Sequence, residues 1–220
     1  MEGIRHREIV VLLTATGIVL VAFSLTSPWF NLTTANISEP PGFSYAKSHY
    51  EFYTDFYRWN SFPSSGLSSA YDQFGALASL MSLVKDVMLT WLILSLVFLG
   101  LTLANSRGPC IGVGLIMVAA MALAVAAFAI GAAGAISAEQ GMGGPVFPHL
   151  GGFFGSMISG GGAVSVSWGP SLGWFLALVA CATQAIALLL GSTRVLSGRG
   201  EEPGPAKGQE DSIYVSEVSR

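Results

Sequence analysis

The sequence predicts an all-α membrane protein: a four-transmembrane-helix bundle with a small extracellular antiparallel β-sheet, formed by the loop between spans 1 and 2 plus a strand from the loop between spans 3 and 4. Three observations predict it. Four uncharged apolar stretches, 9–27, 87–104, 111–136 and 171–191, are each long enough at about 1.5 Å per residue to cross a hydrocarbon core of roughly 30 Å. Of the 220 residues, 52% are hydrophobic and only 10% charged, a balance on the membrane side of soluble averages. The connections also differ in kind: a long aromatic loop, a very short basic turn and a glycine-rich loop.

The expected order is a cytoplasmic N-terminus (1–8), span 1 (9–30), an outer loop with the sheet (31–75), span 2 (76–104) and a cytoplasmic turn (105–109). Span 3 (110–136), a glycine-rich outer loop (137–169), span 4 (170–192) and a disordered cytoplasmic tail (193–220) complete it. Arg5 and Arg7 precede span 1, Arg107 lies in the inner turn, and Arg194, Arg199, Lys207 and Arg220 follow span 4, so seven of ten basic residues share one side. By the positive-inside rule that side is cytoplasmic, which makes this a multi-pass protein of the cell membrane with both termini inside. A cleaved signal peptide is the competing reading of the N-terminus, with Arg5 and Arg7 as its basic region. The apolar run ends in Pro28-Trp29-Phe30, which suits an interfacial anchor better than a cleavage site needing small residues.

The spans themselves contain no Asp, Glu, Lys, Arg or His, which disfavours a pump or proton-coupled carrier. Thr14, Thr16 and Gln184 are the polar groups available for a path through the bundle, and they more readily bond between helices or to their own backbone. Ala127, Gly131 and Ala135 recur every four positions on one face of span 3, where small residues let helices approach. Packing inside the bundle is preferred over dimerisation for that stripe. Lys85 and Asp86 stand at the outer edge of span 2 as interfacial anchors, and Leu77, Leu80, Met81 and Val84 extend the helical pattern outward.

In the first outer loop, aromatic density argues for a folded unit. The alternating stretch 49–59 reads as strand, bounded by Pro40-Pro41-Gly42 and Pro63-Ser64-Ser65-Gly66. Its aromatic face either packs on the membrane end of the bundle or presents a partner surface, for which Tyr53, Tyr57 and Trp59 are the candidates. In the second loop, 163–168 is the convincing strand candidate. Two sequons, Asn31-Leu32-Thr33 and Asn36-Ile37-Ser38, make Asn31 and Asn36 glycosylation candidates on the outer side.

No reaction chemistry is visible. His6, His49 and His149 are dispersed, and His49 with Glu51 on one strand face is better read as solvated than as a metal pair. Cys110 and Cys181 lie at or within spans, too far apart in depth to bridge. The net charge of -3 with no basic run excludes nucleic acid, and no cofactor motif is present.

Pro28-Trp29 closing span 1, the strand-like first loop, the short basic turn at 105–108 and Trp168-Gly169-Pro170-Ser171-Leu172-Gly173-Trp174 opening span 4 resemble the claudin-like tetraspan superfamily. That group includes claudins, the peripheral myelin protein and auxiliary subunits of receptors and channels. The resemblance covers 9–192 as a layout, with Trp29 matching the family's membrane-edge tryptophan and Gly173 and Trp174 its fourth-helix pair. It implies a left-handed bundle under an extracellular sheet, and a non-enzymatic protein that contacts other membrane proteins in cis or trans as an adhesion, assembly or auxiliary subunit, homo-oligomers included. The loop lacks the family's Gly-Leu-Trp and two cysteines, with Gly66-Leu67-Ser68 nearest, so paracellular sealing is not carried over. The alternative is a small transporter or channel subunit.

Overall fold

The computed structural model describes residues 2–38, 44–62, 65–66, 75–104, 107–138, 151–159 and 164–197. Among these are four helices, α1 (Glu2–Thr26), α2 (Gly75–Leu103), α3 (Arg107–Ala138) and α4 (Leu172–Ser197). Each contains a segment long and apolar enough to cross a membrane. Their outward side chains are as apolar as their inward ones: Leu12, Phe23, Ile93, Leu123, Ile130 and Leu189 are all exposed. A helix apolar all round needs lipid as its solvent, so the chain is a multi-pass membrane protein.

The helices pack as a ring in which α1 meets α4 and α2, and α3 meets α2 and α4. α1 and α3 run toward the sheet, while α2 and α4 start from it. Of the small-residue stripe of α3, Gly131 faces α2, where a Cβ would meet Leu80 at 3.3 Å, and Ala135 packs on the core.

Among the described residues, six strands form one antiparallel sheet in the order β4-β3-β2-β1-β6-β5. They are β1 (Phe30–Ser38), β2 (Ser44–Phe52), β3 (Tyr57–Phe62), β4 (Ser65–Gly66), β5 (Gly155–Ser159) and β6 (Val164–Pro170). β1 is central, paired with β2 through Phe30↔Phe52 and with β6 through Phe30↔Pro170. The strand expected over 163–168 is β6, and it pairs with β1 in the same sheet.

Several expected boundaries differ. Span 1 was expected to reach residue 30, but α1 stops at Thr26 and Phe30 opens β1. Pro28 has no N–H for a helix and pushes the residue before it out of the α region, and Trp29 instead donates its backbone N–H to Phe52 O at 2.7 Å. The single strand expected over 49–59 is two, because Tyr53 N donates to Phe56 O at 2.8 Å and folds 53–56 into a turn between β2 and β3. Thr54 and Asp55 are turn formers in the middle of the aromatic run. β1, β4 and β5 are strands beyond those expected, and β4 takes Ser65 and Gly66 from the expected turn at 63–66. Of the expected inner turn 105–109, α3 takes 107–109, where Pro109 fits a first helical turn. Helix α4 continues to Ser197, five residues into the expected tail, and the rest of the tail lies outside the described residues, as do residues 139–150 and 160–163 of the glycine-rich loop.

Alternation along the strands sorts side chains onto two faces. Phe30, Leu32, Tyr50, Phe52, Tyr57 and Val166 are buried toward the helices. There they meet Phe128 of α3, which contacts Trp29 at a ring separation of 5.2 Å and Phe30 at 6.4 Å. Phe153 extends the cluster to Trp174 of α4 at 5.2 Å.

Candidate functional site

Two features distinguish the end of the molecule that carries the sheet: a polar knot joining sheet to bundle, and a charged outer face.

The knot forms where α1 ends and α4 begins. Helix starts leave backbone N–H groups unpaired, and α4 meets this by borrowing acceptors from the chain after α1. Ser171 N donates to Trp29 O at 2.9 Å and Gly173 N to Pro28 O at 2.8 Å. In return Trp29 Nε1 donates to Ser24 O at 3.0 Å, and Ser24 Oγ donates to Gly173 O at 2.7 Å. Glycine is required here: a Cβ at 173 would sit 2.6 Å from the Trp29 ring and 2.9 Å from Ser27 O. Trp174 turns the other way, donating Nε1 to Val125 O at 3.3 Å. The structure therefore brings together Pro28, Trp29, Gly173 and Trp174, which the sequence singled out as two separate motifs.

The turn between β2 and β3 provides a second tether. Thr54 Oγ1 donates to Leu25 O at 3.1 Å, satisfying a free carbonyl in the last turn of α1. Its neighbour Asp55 pairs with Lys85 of α2. Lys85, expected as an interfacial anchor, thus binds the sheet's turn.

On the outer face the register sets Glu51 opposite Arg58 and Thr33 opposite His49. Glu51 is the hub. Tyr53 Oη donates to its Oε2 at 3.1 Å, Arg58 Nη1 lies 3.8 Å from Oε2, and His49 Nε2 lies 3.7 Å from Oε1. Thr33 Oγ1 is hydrogen-bonded to His49 Nδ1 at 2.7 Å. Hydroxyl, imidazole and carboxylate stand here in the order of a hydrolytic triad, but 3.7 Å is an ion-pair contact and not the hydrogen bond that orients a base. The arrangement is suited to recognition through mixed charge.

Of the surface aromatics expected from sequence, Tyr57 is 5% exposed and packs into the core, and Tyr53 is 8% exposed because Phe56, Glu51 and Arg58 cover it on the other face, so neither is a free anchor. Tyr53 stacks on Phe56 at 4.5 Å, with Arg58 Cζ 5.7 Å over its ring. The side chain of Trp59 lies outside the described residues. Burial raises both the Tyr50 and Tyr53 hydroxyls, helped at Tyr50 by the Tyr57 phenol and at Tyr53 by Glu51. Sequence reasoning missed Arg58 and Thr33, which only strand register places beside Glu51. It also missed Phe154 and Ile158, exposed at the β5 edge.

The two sequon asparagines differ. Asn31 Nδ2 donates to Ser171 Oγ at 3.0 Å, whereas Asn36 is exposed. Within the bundle, Thr14 and Thr16 bond back to Val10 O and Leu12 O, and Gln184 Nε2 donates to Thr14 O at 3.2 Å. Cys110 and Cys181 are both free. Among the described residues no three metal-ligating side chains come together.

Compared with models of known protein families the chain matches none, and no curated protein sequence matches it.

Proposed function

We propose that this chain is a non-enzymatic, claudin-like tetraspan protein of the cell membrane that acts through contacts with other membrane proteins, as an adhesion, assembly or auxiliary subunit. The reading places the sheet outside the cell and both termini in the cytoplasm, supported by seven of ten basic residues on the side away from the sheet. One observation carries it: the contact of Trp29 with Gly173 fastens the sheet to α1 and α4, so the Glu51, Arg58 and His49 face is held at a fixed height and attitude over the membrane. A rigid polar face with paired opposite charges favours matched partners and repels mismatched ones. Asn36, not Asn31, is the glycan acceptor on this reading, because its amide is free of the Ser171 contact that holds Asn31.

The test is cross-linking in native membranes followed by mild-detergent purification of wild type and Arg58→Glu. A specific cross-linked chain, a second copy or another membrane protein, that Arg58→Glu loses while retaining its thermal stability supports the proposal. A lone species with no cross-link in either case overturns it, and solute flux in liposomes would put a transport role first.

A further inference from the structure

The sheet divides into two unlike halves. Lys47 and Glu51 of β2, Arg58 of β3 and Asp55 in the turn between them carry its charge, and Asp55 joins that half to Lys85 of α2. The half formed by β5 and β6 has none, since no Asp, Glu, Lys or Arg occurs between Glu139 and Arg194. It carries apolar surface instead. Phe154, just before β5, is 75% exposed, the most exposed phenylalanine among the described residues.

Register sets the height of that ring. Phe30, which opens β1 shortly after α1 ends, pairs with Pro170, which lies just before α4, so this is the membrane end of the sheet. Gly155 pairs with Trp168, which sets Phe154 beside Gly169, and a Cβ on Gly169 would lie 3.3 Å from Phe154 Cβ. Phe154 thus stands one strand position, about 3.4 Å, beyond Pro170. The headgroup layer outside the hydrocarbon is deeper than that, roughly 5–7 Å on each side. Phe153 points inward to Phe128 and Trp174, and Trp168 Nε1 donates to Gly152 O at 2.8 Å, so the segment is clamped with Phe154 on the outside. Toward the membrane, Leu172, Phe175 and Val179 form an exposed stripe at helical spacing on α4.

We propose that the Phe154 corner of the sheet rests in the lipid interface, extending the lipid-facing stripe of Leu172, Phe175 and Val179 beyond the end of α4. Its ligand is the boundary between headgroups and acyl chains, where phenylalanine and leucine side chains of membrane-surface segments settle. Water is the poorer solvent for so exposed a ring, and with no charge on this half nothing resists the apolar layer. The charged half has no such option. The cap is thereby seated on the membrane along β5 and β6 and stands in water along β2 and β3, whichever side of the cell the sheet faces.

The test uses the full chain in lipid nanodiscs. In wild type, a phospholipid carrying a diazirine on its acyl chain near the glycerol is expected to leave adducts within residues 151–159 as well as on the helices, read by peptide mass spectrometry. Adducts confined to the helices overturn the proposal. A nitroxide is then placed through Phe154→Cys, Phe175→Cys or Asn60→Cys, each with Cys110→Ser and Cys181→Ser. The label at 154 is expected to follow that at 175, with high exposure to oxygen and several-fold lower exposure to a water-soluble nickel chelate than the label at 60. Nickel exposure matching that at 60 overturns the proposal, as does shielding from both reagents, which a second copy or another protein would give. The wild-type labelling decides the matter if a nitroxide variant fails to fold.

Discussion

The indole of Trp29 lies across Gly173, so close that the Cβ of any other residue at 173 would fall 2.6 Å from the ring. Residues at opposite ends of the sequence are interlocked there through backbone and side chain together, with Ser24 as the go-between.

Gly173→Ala should therefore destabilise the protein by about 1–3 kcal/mol, the usual cost of overpacking, since Ser27 O at 2.9 Å is backbone and cannot yield. Gly134→Ala, where nothing lies within 4 Å, should not destabilise. Thermal unfolding of the two variants in one detergent makes the comparison.

Gly17→Ala should also lower stability, but through a side chain. Because the obstructing atoms belong to Gln184, the loss should largely vanish in a Gln184→Ala background, giving a non-additive pair in a double-mutant cycle.

Expressed in cells that attach N-linked glycans, the chain should show a mobility shift removed by Asn36→Gln. Asn31→Gln should leave that shift in place while reducing stability slightly, because it withdraws the bond to Ser171. A shift that depends on Asn31 would count against the accessibility argument.

Alkali should loosen the cap. Tyr50 and Tyr53 hold their protons more tightly than an ordinary tyrosine at about pH 10, chiefly because they are buried. A raised value in the folded state means the unfolded chain ionises first. The stability is fully present below about pH 10 and is lost as pH climbs through the folded values. Unfolding temperatures followed from pH 8 to 11 should fall at the upper end, and less steeply in Tyr53→Phe.

The Asp55 to Lys85 pair is exposed enough that Lys85→Met should cost no more than about 1 kcal/mol. Exchanging the two residues should restore most of any loss, read by denaturant or thermal midpoints.

The spans were legible in the sequence because lipid tolerates neither charge nor unpaired backbone, which forces long uninterrupted apolar runs. The sheet was legible only in part. β6 announced itself by alternating valine and serine up to Trp168, but β1 hides in Asn31-Leu32-Thr33-Thr34-Ala35-Asn36, whose one strong inward residue is Leu32. Central strands draw their stability from two neighbours far along the chain, and local composition does not report that. The tyrosines illustrate the same limit. An aromatic run signals a folded loop, but which rings face inward depends on where the turn falls, and the Thr54-Asp55 turn sends Tyr57 into the core while Tyr53 lies beside Glu51 and Arg58. Trp29, Gly173 and Trp174 stood out as motifs, yet Ser24, which links Trp29 to Gly173, carries no sequence signal of its own.

The central place of β1 imposes an order on biosynthesis. Its partner β2 follows within the same loop, whereas β6 is made only after two further helices. During translation one edge of β1 stays open until Val164–Pro170 emerge, and the seam between β1 and β6 closes last. A chain truncated before that point would carry an unprotected strand edge, the kind of surface that quality-control machinery and stray neighbours recognise first.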